Sequence, residues 1–201
     1  LHEGKNLLVL QVARTMLFNF LKIDEKTSED LLLKGMPLEL ISLEEKLVKT
    51  VYLKELDIDV KLVGKADRIE RRGNDIFIID YKTGAVEQKN LDIKELSEIF
   101  DVDKKKEKVL QLLMYAYMFD KKKLRNGNVY AAVFSLRKFS QGAMVARLNE
   151  GYRKNSALVF DANLEKEFEE ILMLKICELY EGKSHFEDIS VTSLEQTEIQ
   201  I

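Results

Sequence analysis

Apolar and polar positions along this chain alternate between two periods, one helical and one extended. Residues 7–23 are apolar around most of a helical circumference, with Asn6 placed to cap them, which predicts a largely buried helix. A charged link is expected over 24–30, then a turn at Gly35 and Pro37, the only proline. Three strand-like runs follow at 45–53, 58–71 and 75–82, with Arg72, Gly73 and Asn74 as the hairpin turn between the last two. Helical spacing returns over 106–120, strand patterns over 128–136 and 143–148 around a turn at Gln141 and Gly142, and a short strand over 157–160. Asp161 is placed to cap an amphipathic helix running to about Glu181, and residues 183–201 read as a polar tail. The order helix, three-strand meander, helix, strand predicts an α/β fold with a mixed central sheet flanked by helices.

The length of 201 residues fits one domain over 1–201, and 46% hydrophobic residues suffice for a sizeable core. The first residue, Leu1, is not methionine, so a C-terminal fragment of a longer protein is expected. No apolar run approaches the roughly 18 residues of a membrane span, and no signal peptide opens the chain, which leads to the expectation of a cytoplasmic protein without a membrane partner. One cysteine, Cys177, excludes a disulfide framework, a Cys-rich zinc site and an iron–sulfur cluster held by this chain alone.

The net charge of −3 excludes a uniformly basic coat for nucleic acid, but the charge is unevenly spread. Residues 104–147 hold eleven basic residues against two acids, a balance of +9. Residues 161–201 hold three lysines against eleven acids, a balance of −8. A basic surface in the middle and an acidic C-terminal region are expected.

Chemistry concentrates around the second hairpin. Strand alternation puts Asp80 and Lys82 on one face at the end of the apolar run 76–79, and unpaired buried charge there is costly. The hairpin can bring Asp67 beside Asp80, where two carboxylates repel unless a cation lies between them; hard oxygen ligands suit Mg²⁺ or Mn²⁺. An isolated Asp-x-Lys is ordinarily a surface ion pair; the buried strand, the second aspartate and Gly84 set this one apart. On the next helix Gln111 and Tyr115 lie one turn apart on one face. Alone, they read as a solvent-facing amide and a core aromatic.

Taken together, G-x-x-D-R-I from Gly64, I-I-D-Y-K-T-G from Ile78 and Q-x-x-x-Y from Gln111 resemble the nuclease domain of the PD-(D/E)xK superfamily, closest to its RecB-like, AddB-type branch. The resemblance implies a restriction-endonuclease-like core and a deoxyribonuclease that uses Mg²⁺ or Mn²⁺ to hydrolyse DNA in recombination or double-strand-break repair. A helicase region or subunit is the implied neighbour, and no glycine-rich phosphate loop for such a motor is present here. By the same resemblance Asp67, Asp80 and the main-chain carbonyl of Tyr81 are metal ligands. Lys82 then acts on the attacking water or the phosphate, while Gln111 and Tyr115 line the cleft and touch the DNA backbone. Two departures stand out. RecB-like nucleases usually add a His or Glu from a helix before the meander, and only His2, Glu39, Glu44 and Glu45 are available, none in a matching context. The four cysteines with which some relatives hold an iron–sulfur cluster are absent. The alternative is a non-catalytic DNA-binding or docking domain with a nuclease fold and an incomplete metal site.

Overall fold

The structure, a computed structural model, describes residues 4–124, 126–149 and 156–182. Helix α1 (Lys5–Leu33) leads into a long antiparallel hairpin, β1 (Leu38–Leu53) and β2 (Ile58–Arg72), followed by β3 (Asp75–Lys82). After a two-residue strand β4 (Asp92–Ile93), helix α2 (Glu107–Met118) crosses over to β5 (Val129–Ser135). Strands β6 (Ala143–Val145), β7 (Arg147–Leu148) and β8 (Ser156–Ala157) precede helix α3 (Ala162–Tyr180).

The main sheet has the order β1-β2-β3-β5-β6, with β3 and β5 parallel and the other pairs antiparallel. A parallel neighbour needs a long crossover, which the segment carrying α2 supplies. The mixed sheet with helices on both faces is the expected α/β fold. On one face Val109 and Leu112 of α2 share a core with Ile69, Ile76 and Ile78, and α3 joins that core through Phe168, which packs against Tyr117 of α2 and Phe160. On the other, Phe20 and Ile23 of α1 meet Phe77, Ile79, Tyr81 and Phe134. The β2–β3 turn sits at the expected place, with Gly73 at φ 62°, a left-handed conformation that glycine adopts without penalty. Asp161 caps α3 as expected, its carboxylate accepting from the Asn163 and Leu164 amides.

Several expectations are corrected. The first helix is capped at Gly4, not Asn6, and runs unbroken through 24–30 to Leu33. The charges there do not make a link, because Asp24 turns to the sheet as the partner of Arg68 while its neighbours face water. Nor is the helix largely buried: Leu8 is 63% and Phe18 59% exposed. One helix on one sheet face can bury only a stripe, here the one around Phe20 and Ile23. By length and composition residues Asn6–Leu33 are long and apolar enough to cross a membrane, which the sequence reading had not anticipated. Strand β1 starts at Leu38, seven residues before the expected 45, so its first half pairs with the end of β2 as Leu38↔Arg72. The expected strand 143–148 divides at Ala146. Its amide bonds to Ala131 of the main sheet, whereas the Arg147 amide bonds to Leu91 beside the small β4-β7-β8 sheet. The expected strand 157–160 is reduced to β8 and a single bridge from Val159 to Tyr130. The polar tail 183–201 and His2 lie outside the described residues.

Candidate active site

The apolar stretch of β3 ends at Asp80, whose side chain is buried at the mouth of the central strand. Two residues on, the same face presents Lys82, with Nζ 2.7 Å from Asp80 Oδ2. Among the described residues Lys82 is the only group that reaches this buried oxygen. The same ammonium donates to Gln111 Oε1 at 2.8 Å. Gln111 in turn donates through Nε2 to the Tyr115 hydroxyl at 2.7 Å. An unbroken polar chain therefore runs Asp80–Lys82–Gln111–Tyr115, from the central strand to the crossover helix. The i, i+4 spacing on α2 is what lines up the last two members.

Asp67 arrives from β2 where β2 and β3 part. Their pairing ends at Arg68↔Ile79, one step short of placing Asp67 opposite Asp80. Instead of a ladder bond, the Tyr81 amide donates to Asp67 Oδ2 at 2.7 Å. On the far side, the β1–β2 ladder passes from Leu43↔Arg68 to Glu45↔Ala66, omitting the Glu44–Asp67 step. Glu44 there has φ 55°, uncommon for a residue with a side chain. The inward-facing positions of β2 change phase at the same point, from Gly64 and Ala66 to Ile69. Such local irregularities re-aim a side chain at a strand end. Burial pushes the Asp80 carboxyl up from its usual range; Lys82 opposes the shift and the nearby charge of Asp67 adds to it.

The structure thus brings Asp67, Asp80, Lys82, Gln111 and Tyr115 to one end of the sheet. Tyr81 has visible roles through its amide to Asp67 and its ring, which packs edge-on to Phe20. The candidates for a further ligand are engaged elsewhere. Glu39 pairs with Arg71, Glu44 with Lys65, and Glu45 accepts from the Ser42 hydroxyl. Among the described residues no three His, Cys, Asp or Glu side chains gather as a metal cluster. Two carboxylates at the mouth, one with a buried oxygen met by Lys82 alone, nevertheless fit a hard divalent cation completed by main-chain oxygen and water. The basic block 104–147 is partly neutralised within the fold: Lys108 pairs with Glu107, Lys121 with Glu165 and Lys138 with Glu87.

Two features escaped the sequence reading. Arg68, next to Asp67, is buried, and it joins Glu70, Asp24 and the Tyr81 hydroxyl behind the active strand. Gly64 is the place where α2 rests on β2. A Cβ there would stand 2.6 Å from Met118 Cε and 3.1 Å from Tyr115 Cε1. Met118 can swing aside, but the Tyr115 ring carries the end of the polar chain. Gly64→Ala should cost about 1–3 kcal/mol by overpacking and displace the Tyr115 end of the polar chain. Thermal unfolding beside steady-state kinetics checks this, and an unchanged melting temperature would count against the close contact.

The family model of the PD-(D/E)XK nuclease superfamily matches residues 9–189. No curated protein and no solved structure matches the chain.

Proposed function

The chain belongs to the PD-(D/E)XK nuclease superfamily, and from that membership we propose that it hydrolyses DNA phosphodiester bonds as a Mg²⁺- or Mn²⁺-dependent deoxyribonuclease. The observation that carries the reading is the chain Asp80–Lys82–Gln111–Tyr115 with Asp67 at the same strand mouth. Asp67, Asp80 and the Tyr81 carbonyl would hold the ion. When bound there, the ion would supply polarisation of the phosphoryl group and a lowered pKa for a water nucleophile.

The residues themselves divide the remaining work. Lys82 presents a fixed positive charge where negative charge grows on the phosphate, and it needs no reorganisation to do so. Gln111 and Asp80 hold the ammonium between them, and the Tyr115 hydroxyl accepts from the amide of Gln111. Gln111 and Tyr115 also face the DNA backbone in this reading. Contacts of this kind position a duplex without reading its sequence. The motif order around Gly64, Ile78 and Gln111 supports a RecB-like, AddB-type assignment. With it come a cytoplasmic role in recombination or double-strand-break repair and a helicase region or subunit as partner.

Calorimetric titration with Mn²⁺ tests the metal assignment. The wild-type chain should show a site that is lost in Asp80→Ala. Affinity should also rise with pH as the Asp80 carboxyl, held above its usual range by burial, becomes ionised. Equal Mn²⁺ binding by Asp80→Ala would remove Asp80 from the ligand set.

A further inference from the structure

Far from the polar chain, a groove runs between the tip of the β1–β2 hairpin and the outer face of α3, with a volume of 860 Å³. None of Asp67, Asp80, Lys82, Gln111 or Tyr115 lines it. It extends from Ala162 to Glu181, roughly 28 Å at about 1.5 Å per residue, so it is a trough as long as the helix rather than a small-molecule cavity. Apolar side chains form its floor: Tyr52 and Leu53 from the hairpin, Met173, Leu174 and Cys177 from α3. Two of them are left open to water, Leu174 at 65% and Tyr52 at 55% exposure. The inner face of α3 is already used, since Phe168, Leu172 and Ile176 are buried in the core. The exposed apolar stripe is therefore a second one.

The walls are acidic. Glu55 comes from the hairpin and Glu169, Glu170, Glu178 and Glu181 from α3, against Lys54, Lys166 beside Glu170 and Lys175 beside Glu178, which leaves the walls net acidic. Glu165 belongs to the inner edge, where Lys49 and Lys121 bind it. An apolar floor with acidic rims excludes a phosphate backbone or an anionic membrane surface. A second copy would bring the same acidic groove, and the C-terminal tail 183–201 carries four acids against one lysine. We propose that this groove docks a basic amphipathic helix of a partner protein, its apolar face on Leu174, Met173 and Tyr52 and its lysines or arginines against the glutamate walls. Charge then selects the partner and fixes its register, and apolar contact holds it. The inference does not depend on the nuclease reading.

The test uses two synthetic 18-residue amphipathic helices with identical leucine faces, one with lysine and one with glutamate on the polar face. Cys177, the only cysteine and part of the floor, gives a local readout through its rate of modification by a thiol reagent. The lysine peptide should bind, slow Cys177 modification severalfold and lose about tenfold or more in affinity with Leu174→Asp or with Glu170→Lys/Glu178→Lys. Leu174 and both glutamates are exposed, so these variants should stay folded. Reversal of Glu29 and Asp30, exposed acids on α1, should change little. Equal loss with the α1 reversal, or binding without protection of Cys177, would mean general charge attraction and overturn the proposal. So would preference for the glutamate peptide, no binding of either, or a concentration-dependent dimer that Leu174→Asp abolishes.

Discussion

Arg68→Ala should lower folding stability by about 3–5 kcal/mol, the usual cost of leaving one half of a buried ion pair uncompensated. Glu70 is fully buried, and its two carboxylate oxygens are met by Arg68 Nε at 2.5 Å and Arg72 Nε at 2.6 Å. Arg68 Nη1 also donates to Asp24 Oδ1 at 2.8 Å, so the same guanidinium ties α1 to the sheet. Without it Glu70 keeps only Arg72, itself stacked over Phe77 with the guanidinium carbon 4.1 Å from the ring centre. Arg68→Lys should recover little, because an ammonium cannot serve Glu70 and Asp24 with the same planar fork. Replacing the pair together, Arg68→Met with Glu70→Leu, should recover much of the loss, since an apolar pair of similar volume needs no compensation. For a chain of this size the single variant should melt about 10 °C lower, at about 2–4 °C per kcal/mol. Amide exchange in α1 should quicken beside the lost Asp24 contact. An unchanged melting temperature would show that Arg72 alone satisfies Glu70.

Lys82→Ala should stay folded and lose about a hundredfold in hydrolysis rate, on the order of 3 kcal/mol of transition-state stabilisation. The Lys82 side chain is 28% exposed, so its removal opens no sealed cavity. It does remove the positive charge that opposes the upward shift of Asp80. The Asp80 pKa should rise further, and residual activity, which needs the carboxylate, should move to higher pH. Lys82→Arg should rescue only partly, because a planar guanidinium does not reproduce a compact ammonium held by one amide oxygen. Asp80→Asn offers a control of opposite sign on stability. A carboxyl whose folded pKa lies above the usual 3.8 makes the folded state lose stability as pH rises through that interval. At neutral pH the metal-free Asn variant should therefore be at least as stable as wild type.

Local chemistry was legible wherever one element carried all of it. Strand period alone puts Asp80 and Lys82 on one face, helix period puts Gln111 over Tyr115, and the turn expected at Arg72, Gly73 and Asn74 fixes β2 against β3, with Arg72 itself closing the strand. Asp161 announces α3 because an N-cap is a contact with its own next turn. Legibility failed where the deciding partner lies far along the chain. Residues 24–30 read as a link until Arg68, 44 residues away, explains Asp24 as a helix residue facing the sheet. The apolar circumference of α1 suggested burial, yet only the stripe opposite Tyr81 and Phe134 finds a surface. In β1 the register shift between Leu40 and Ser42 breaks the alternation of 38–45, which hid its first half. The burial of Arg68 was not legible either, because alternation places neighbours on opposite faces without saying which face is covered.

Cleavage of linear DNA in the presence of Mg²⁺, measured for wild type and Asp80→Asn at matched stability, bears most directly on the nuclease assignment. Metal-dependent release of nucleotides by wild type, abolished by chelation and by the Asn substitution in a folded protein, is the expected result. Hydrolysis that persists at the wild-type rate in Asp80→Asn would contradict the site. A wild-type chain that binds DNA and metal but cleaves nothing would contradict the activity and mark the fold as a binding module.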